Sequence, residues 1–204
     1  METIFIFYIG MLLGNWLRGI WYWFSDNATK TILTSMPNKL SFWCRPFTNC
    51  YRKPLVFPNF LEVITGCLCV MTLWGYLSLT ALYLVCLSLL LSLFDWTAKE
   101  YPLALWLLSF TALLPFYTIN ATALGFLILA MLACLIPLQI GAGDFLYLAT
   151  LALAIPFISL IWVVQIGSLT GLICCFFSKA KSIPFIPYLT FGLVTSLAFE
   201  LLLL

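Results

Sequence analysis

Residues 145–177 read FLYLATLALAIPFISLIWVVQIGSLTGLICCFF, a run of 33 positions without a charge. As one α-helix it would extend about 50 Å, far beyond a hydrocarbon core of roughly 30 Å. Pro156 interrupts it, and a proline in a helix interior removes a hydrogen bond and crowds the preceding turn. The expected structure is therefore two helices, 145–154 and 157–177, the first short enough to be a partial or tilted crossing.

The rest of the chain has the same character. Its 204 residues are 64% hydrophobic and 8% charged, against about 25% charge in soluble domains. A soluble fold of this size could not bury so much apolar surface, so lipid must be the main solvent. The net charge of +2 comes with no basic run suited to nucleic acid. Histidine is absent, which excludes histidine triads, histidine metal sites and histidine general bases. The eight cysteines (Cys44, Cys50, Cys67, Cys69, Cys86, Cys134, Cys174 and Cys175) lie mostly in apolar runs. There a thiol acts as a small hydrophobe, and no disulfide framework is expected. The apolar start lacks a basic n-region and an A-x-A-like site, and reads as a retained first span.

Polar residues divide the chain into spans. The first covers 4–24, interrupted by Asn15 and Arg18. The polar segment 25–58 holds Lys30, Lys39, Arg45, Arg52 and Lys53 against Asp26. The positive-inside rule makes it cytoplasmic and puts the N-terminus outside. Spans 61–77 and 79–94 join at a tight turn near Gly75 and Ser78. A short loop, 95–102, then lies inside. Span 103–116 leaves, 117–120 turns, and 121–138 returns, so 141–144 is again cytoplasmic. After 145–154 and 157–177 come Lys179 and Lys181, also cytoplasmic, and 183–203 exits. The expected fold is all-α, a polytopic transmembrane helical bundle of about eight spans with both termini outside. Residues 1–58 form a first span plus basic loop, and 59–204 form the core.

The chemistry rests on the seven acids: Glu2, Asp26, Glu62, Asp95, Glu100, Asp144 and Glu200. Asp95 and Asp144 each border an apolar run, where a carboxylate is costly to keep. They sit in consecutive connections on one membrane face. Two close carboxylates cannot both ionise cheaply, so one keeps its proton while the other stays charged. That is the arrangement in which one activates water and the other polarises a peptide carbonyl. Gly141 and Gly143 precede Asp144, and Gly143 reads as a position of unusual backbone conformation and close approach. Pro102 suits the start of the next helix. Singly, Asp144 could be a helix N-cap, and Asp95 could cap the following helix or pair with Lys99. Glu62 faces the bundle or caps the second span, Glu100 belongs to a solvated loop, and Glu200 snorkels or is paired.

Asp95-x6-Pro102, Gly141-x-Gly143-Asp144 and the segment Ile183-Pro184-Phe185-Ile186-Pro187-Tyr188-Leu189-Thr190-Phe191-Gly192 together resemble the type IV prepilin peptidases, polytopic aspartic proteases of the G-x-G-D class. The size and composition look like the Gram-positive competence-type members. The resemblance covers residues from about 61 to the end. It implies a bacterial cell-membrane endopeptidase with Asp95 and Asp144 as the catalytic pair and Gly141, Gly143, Pro102, Lys99, Pro184 and Pro187 supporting them. It implies removal of the basic leader of type IV prepilins or competence pseudopilins, on the cytoplasmic side of their hydrophobic helix. Fuller members carry G-x-x-x-G-S-F and two C-x-x-C pairs that bind zinc, in a region accompanying S-adenosylmethionine-dependent N-methylation. Here Gly10-x3-Gly14 is a partial echo, and the loop offers only Cys44 and Cys50, at C-x5-C spacing. A tetrahedral site needs four such ligands. Proteolysis without zinc or S-adenosylmethionine is the expectation, with the pilin substrate and the bilayer as partners.

Three other readings compete. A transporter using an acid pair for ion relay would place the acids near the bilayer midplane. A presenilin-type protease would carry Tyr-Asp and Pro-Ala-Leu, which this chain lacks. An inert membrane scaffold would use the acids only as caps.

Overall fold

The computed structural model describes residues 1–30, 60–98, 102–136, 141–178 and 183–203. Cys44, Cys50, Lys99, Glu100, Lys179, Lys181 and most of the basic loop lie outside the described residues. Among the described residues all regular secondary structure is helical. In chain order the helices are α1 (Glu2–Lys30), α2 (Phe60–Leu73), α3 (Leu79–Ala98), α4 (Leu103–Leu113), α5 (Ala121–Leu135), α6 (Ala142–Ala154), α7 (Phe157–Ser178) and α8 (Ile186–Leu203). Three stretches, Glu2–Phe24, Leu79–Thr97 and Phe157–Phe177, are long and apolar enough to cross a membrane. The other five apolar helices are shorter, 10–17 residues each.

The helix ends follow local chemistry. Gly75 has φ 79°, a left-handed conformation that glycine adopts without strain, and it turns α2 toward α3. The Ser78 hydroxyl accepts the Ala81 N–H at 3.1 Å and caps α3. Asn120 caps α5 by accepting from Ala123 N–H at 2.7 Å, and its amide donates to the Ala152 carbonyl at 2.5 Å, joining the start of α5 to the end of α6. Ile136 and Ile155 are both extended, with ψ near 130°, because each precedes a proline that disfavours the helical region. The break at Pro156 thus separates α6 from α7 as the sequence predicts.

Several boundaries differ: α1 runs past 24 to Lys30, and α2, α4 and α5 end at Leu73, Leu113 and Leu135, short of 77, 116 and 138. The loop expected at 95–102 begins later, because α3 runs through Asp95 to Ala98. Trp96, Thr97 and Ala98 contain no helix breaker, and the Thr97 hydroxyl folds back onto the Leu93 carbonyl at 2.8 Å.

By packing, the chain divides into residues 1–82 and 83–204. In the first unit α1 lies against α2 through small residues. A Cβ on Gly10 would come within 2.7 Å of the Gly66 Cα, and one on Gly14 within 2.7 Å of the Glu62 Cα. Such positions let two backbones approach closely in lipid. Gly10-x3-Gly14 is therefore a packing surface for α2. One turn further on, Arg18 meets Glu62 at 2.7 Å and donates to Asn15 at 2.9 Å. Glu62 is fully buried, so the two polar interruptions of the first span are explained by the acid they serve.

In the second unit α6 is central. Every side chain from Tyr147 through Leu153 is buried. It packs on α5 and more lightly on α4 and α7, while α7 packs along α8. There a Cβ on Gly167 would meet the Leu189 Cα at 3.0 Å. On α3 every side chain from Leu84 through Ser88 is buried, and Leu91, Phe94 and Asp95 carry one buried stripe on at three- and four-residue spacing toward the helix end. Phe157, Ile158, Trp162, Leu172 and Phe176 of α7 are exposed. An exterior of this kind suits lipid as solvent.

Candidate active site

Asp95 occupies the last inward position of the α3 stripe and is 7% exposed. Its Oδ2 accepts the backbone N–H of Ile186 at 2.9 Å. Ile186 opens α8, so this N–H is one of the four donors that a helix start leaves without an intrahelical acceptor. The partial positive charge at a helix N-terminus favours an anion there, and a hydrogen bond to an ionised acceptor is stronger than a neutral one. Asp95 thus caps α8, from 91 residues away. It does not cap α4, whose N-cap is Pro102 and has no side-chain cap.

Asp144 comes from α6. Gly141 is the N-cap of that helix, with φ −66° and ψ 141°, and Asp144 lies in the first turn, just ahead of the apolar run 145–154. It is half-buried. Burial raises its carboxyl from 3.8, the negative charge of Asp95 raises it further, and a backbone hydrogen bond from Gly141 opposes both. The first two effects prevail and hold it at about 7. Such a group carries its proton about half the time at neutral pH, the range useful for proton transfer.

Asp144 and Asp95 are therefore brought within electrostatic reach of each other, from helices separated by long stretches of chain. The segment containing Pro184 and Pro187 meets Asp95 through the Ile186 N–H. Pro184 is half-buried just before α8, and Pro187 is the second residue of that helix. Pro102 supports the start of α4, its carbonyl accepting from Leu105 N–H at 3.0 Å. Gly143 is a correction. Among the described residues only Gly75 has a positive φ, so Gly143 has no special backbone conformation. It lies inside the first helical turn. Lys99 falls outside the described residues, as do the metal candidates Cys44 and Cys50. No group of three or more metal-ligating side chains occurs among the described residues. Glu62 is paired with Arg18, and Glu200 accepts from Ser159 at 2.7 Å.

The sequence does not announce the Ile186 amide, because any residue has one. Its signal is positional: a helix start flanked by prolines, Pro184 and Pro187. No family model, no curated protein and no solved structure matches this chain.

Proposed function

We propose that this protein is a membrane aspartic endopeptidase of the prepilin-peptidase kind, with Asp95 and Asp144 as its dyad. The observation that carries the reading is that Asp95, seated on the N-terminus of α8, adds its charge to burial in raising Asp144, in the first turn of α6, to about 7. A capping role alone accounts for Asp95. It leaves unexplained why a second acid faces it in a chain with so few.

The environments divide the labour. Asp95, held by the Ile186 N–H, is the ionised member, and Asp144 is the protonated one. Asp95 takes a proton from water as the water oxygen bonds to the scissile carbonyl carbon. Asp144 gives its proton to the carbonyl oxygen, producing a tetrahedral diol. Asp95 then delivers its proton to the amide nitrogen while a diol hydroxyl returns a proton to Asp144. The C–N bond breaks, leaving an amine and a carboxylic acid and restoring both acids. Each step is general acid–base catalysis, with Asp144 poised near the working pH.

The substrate would be the leader of a prepilin or competence pseudopilin, cut beside its apolar helix. The chain would be multi-pass in a bacterial cell membrane, about eight helices crossing wholly or partly, with the dyad at the cytoplasmic border. The test is to co-express a pseudopilin with wild type, Asp95→Asn or Asp144→Asn, with an unrelated secreted preprotein as control. Wild type should shorten the pseudopilin and spare the control. Either variant should leave the precursor uncut at unchanged membrane levels. Mature pseudopilin at wild-type amounts in both variants would end the proposal.

A further inference from the structure

Directly behind the two aspartates lies a set of hydroxyls that the proposed chemistry does not use. Tyr147 is three residues after Asp144 on α6, and Ser88 is seven before Asp95 on α3. Ser92 is three before Asp95, and Thr190 is four after Ile186 on α8. Tyr147 and Ser88 are fully buried and Thr190 nearly so. The Tyr147 Oη and Ser88 Oγ are 2.6 Å apart, and Ser88 itself donates to the Leu84 carbonyl at 2.6 Å. With its proton so used, Ser88 accepts from Tyr147. Ser92 and Thr190 hydroxyls are 2.8 Å apart, and Thr190 reaches the Ile186 carbonyl at 2.9 Å and the Ser88 carbonyl at 3.3 Å. On its far side α6 is fixed by Trp106, whose indole N–H lies 2.8 Å from the Leu146 carbonyl and 2.9 Å from the Thr150 hydroxyl.

Each of the three helices that supplies an atom to the site therefore supplies a hydroxyl one to two turns deeper, and those hydroxyls bond to one another. Apolar side chains could fill this space, but greasy contacts tolerate sliding and rotation. Hydrogen bonds fix distance and direction, and a satisfied buried network rigidifies its surroundings. We propose that Tyr147, Ser88, Thr190 and Ser92 form a positioning layer that sets the register of α3, α6 and α8, and so the placement of Asp144 relative to Asp95. The inference builds on the aspartic dyad proposed above. It assigns no chemical step to the hydroxyls.

The test uses purified full-length protein in detergent. Asp144 is followed through its carboxyl C=O infrared band across pH, the band being identified by its loss in Asp144→Asn. Tyr147→Phe removes one oxygen and keeps the ring. It should move the Asp144 titration by at least about half a pH unit and lower kcat for pseudopilin cleavage about tenfold or more with KM unchanged. Thr190→Val should act similarly, and Thr190→Ser, which keeps the hydroxyl, should restore both readouts. If Tyr147→Phe does not fold, the Thr190 pair decides alone. Wild-type titration and kcat in both Tyr147→Phe and Thr190→Val would overturn the positioning role. The infrared arm needs no substrate, so a wild type that titrates as described yet cuts no pseudopilin would sink the peptidase reading and leave the layer standing.

Discussion

Two regions of this molecule bury an acid in apolar surroundings, and they do it in opposite ways. In residues 1–82, Glu62 faces an opposite charge, Arg18, at 2.7 Å. In residues 83–204, Asp144 faces a like charge, Asp95, and Asp95 leans on a backbone amide. The first arrangement satisfies both ions with each other and stores nothing. The second raises the Asp144 carboxyl, because burial and the charge of Asp95 both disfavour its ionised form. Burial of an acid alone therefore does not mark a reactive site. What distinguishes the two is the sign of the charge that the carboxylate meets.

The most forceful way to break this contrast is at the ion pair. Glu62→Ala leaves the partly buried Arg18 guanidinium with Asn15 but no opposite charge, and the loss should approach the lower end, about 3 kcal/mol, of what breaking a buried pair costs. The first unit should unfold at markedly lower temperature or denaturant. Replacing both by methionine should recover most of that loss, since an apolar pair of similar volume is often no worse than the ions. Pseudopilin cleavage should survive in the double variant. A well-folded double variant that cannot cleave would show that Glu62 has a role in the chemistry and would erase the distinction.

At the second region the effect is smaller and has the opposite sense. The unfolded Asp144 carboxyl titrates near 3.8 and the folded one near 7. Between those values the folded chain holds a proton the unfolded chain has released. Stability from this group is complete below about 4 and declines as pH rises to about 7. Asp144→Asn has no proton to lose, so it should gain on wild type across that window, on the order of 2 kcal/mol after solvent screening. Thermal unfolding of the two proteins at pH 4.5 and 7.5 measures it. A gap that stays constant, or that narrows at the higher pH, would mean Asp144 is not held protonated. The same titration should reduce cleavage above about pH 7.

Much of the fold is legible in the residues, because prolines and caps punctuate it. Pro156, Asn120 and the Gly75–Ser78 turn mark helix ends on chemistry that acts within a few positions. Asp95 and Asp144 stand out because so few charges compete for notice. What stays hidden acts across the chain. Ser88, Thr190 and Tyr147 look like ordinary residues of apolar spans. Only the recurrence of Ser88, Ser92 and Asp95 at helical spacing hints that they share a face. Gly10-x3-Gly14 reads as the remnant of a longer motif, whereas its partner is Gly66 on another helix. The end of α3 is equally hidden, lying at Ala98 and not before Asp95. Asp95 stays helical because its acceptor duty is discharged toward α8, not toward solvent.

The finest distinction between the two regions is the amide that stands where the first has a guanidinium. Ile186→Pro removes that N–H alone among backbone groups. Proline is well suited to the first position of a helix, so α8 should still start. The substitution also trims a buried side chain, 1% exposed in wild type. Ile186→Val trims it comparably and keeps the N–H, which makes it the control. Losing a hydrogen bond to a charged group costs about 1.5–3 kcal/mol. Even the lower bound, if felt in the transition state, is about tenfold in rate. Ile186→Pro should therefore cut kcat about tenfold below Ile186→Val at equal protein levels. Equal rates for the two would mean that the helix start serves only to be capped, and that the Ile186 N–H contributes nothing to the proposed chemistry.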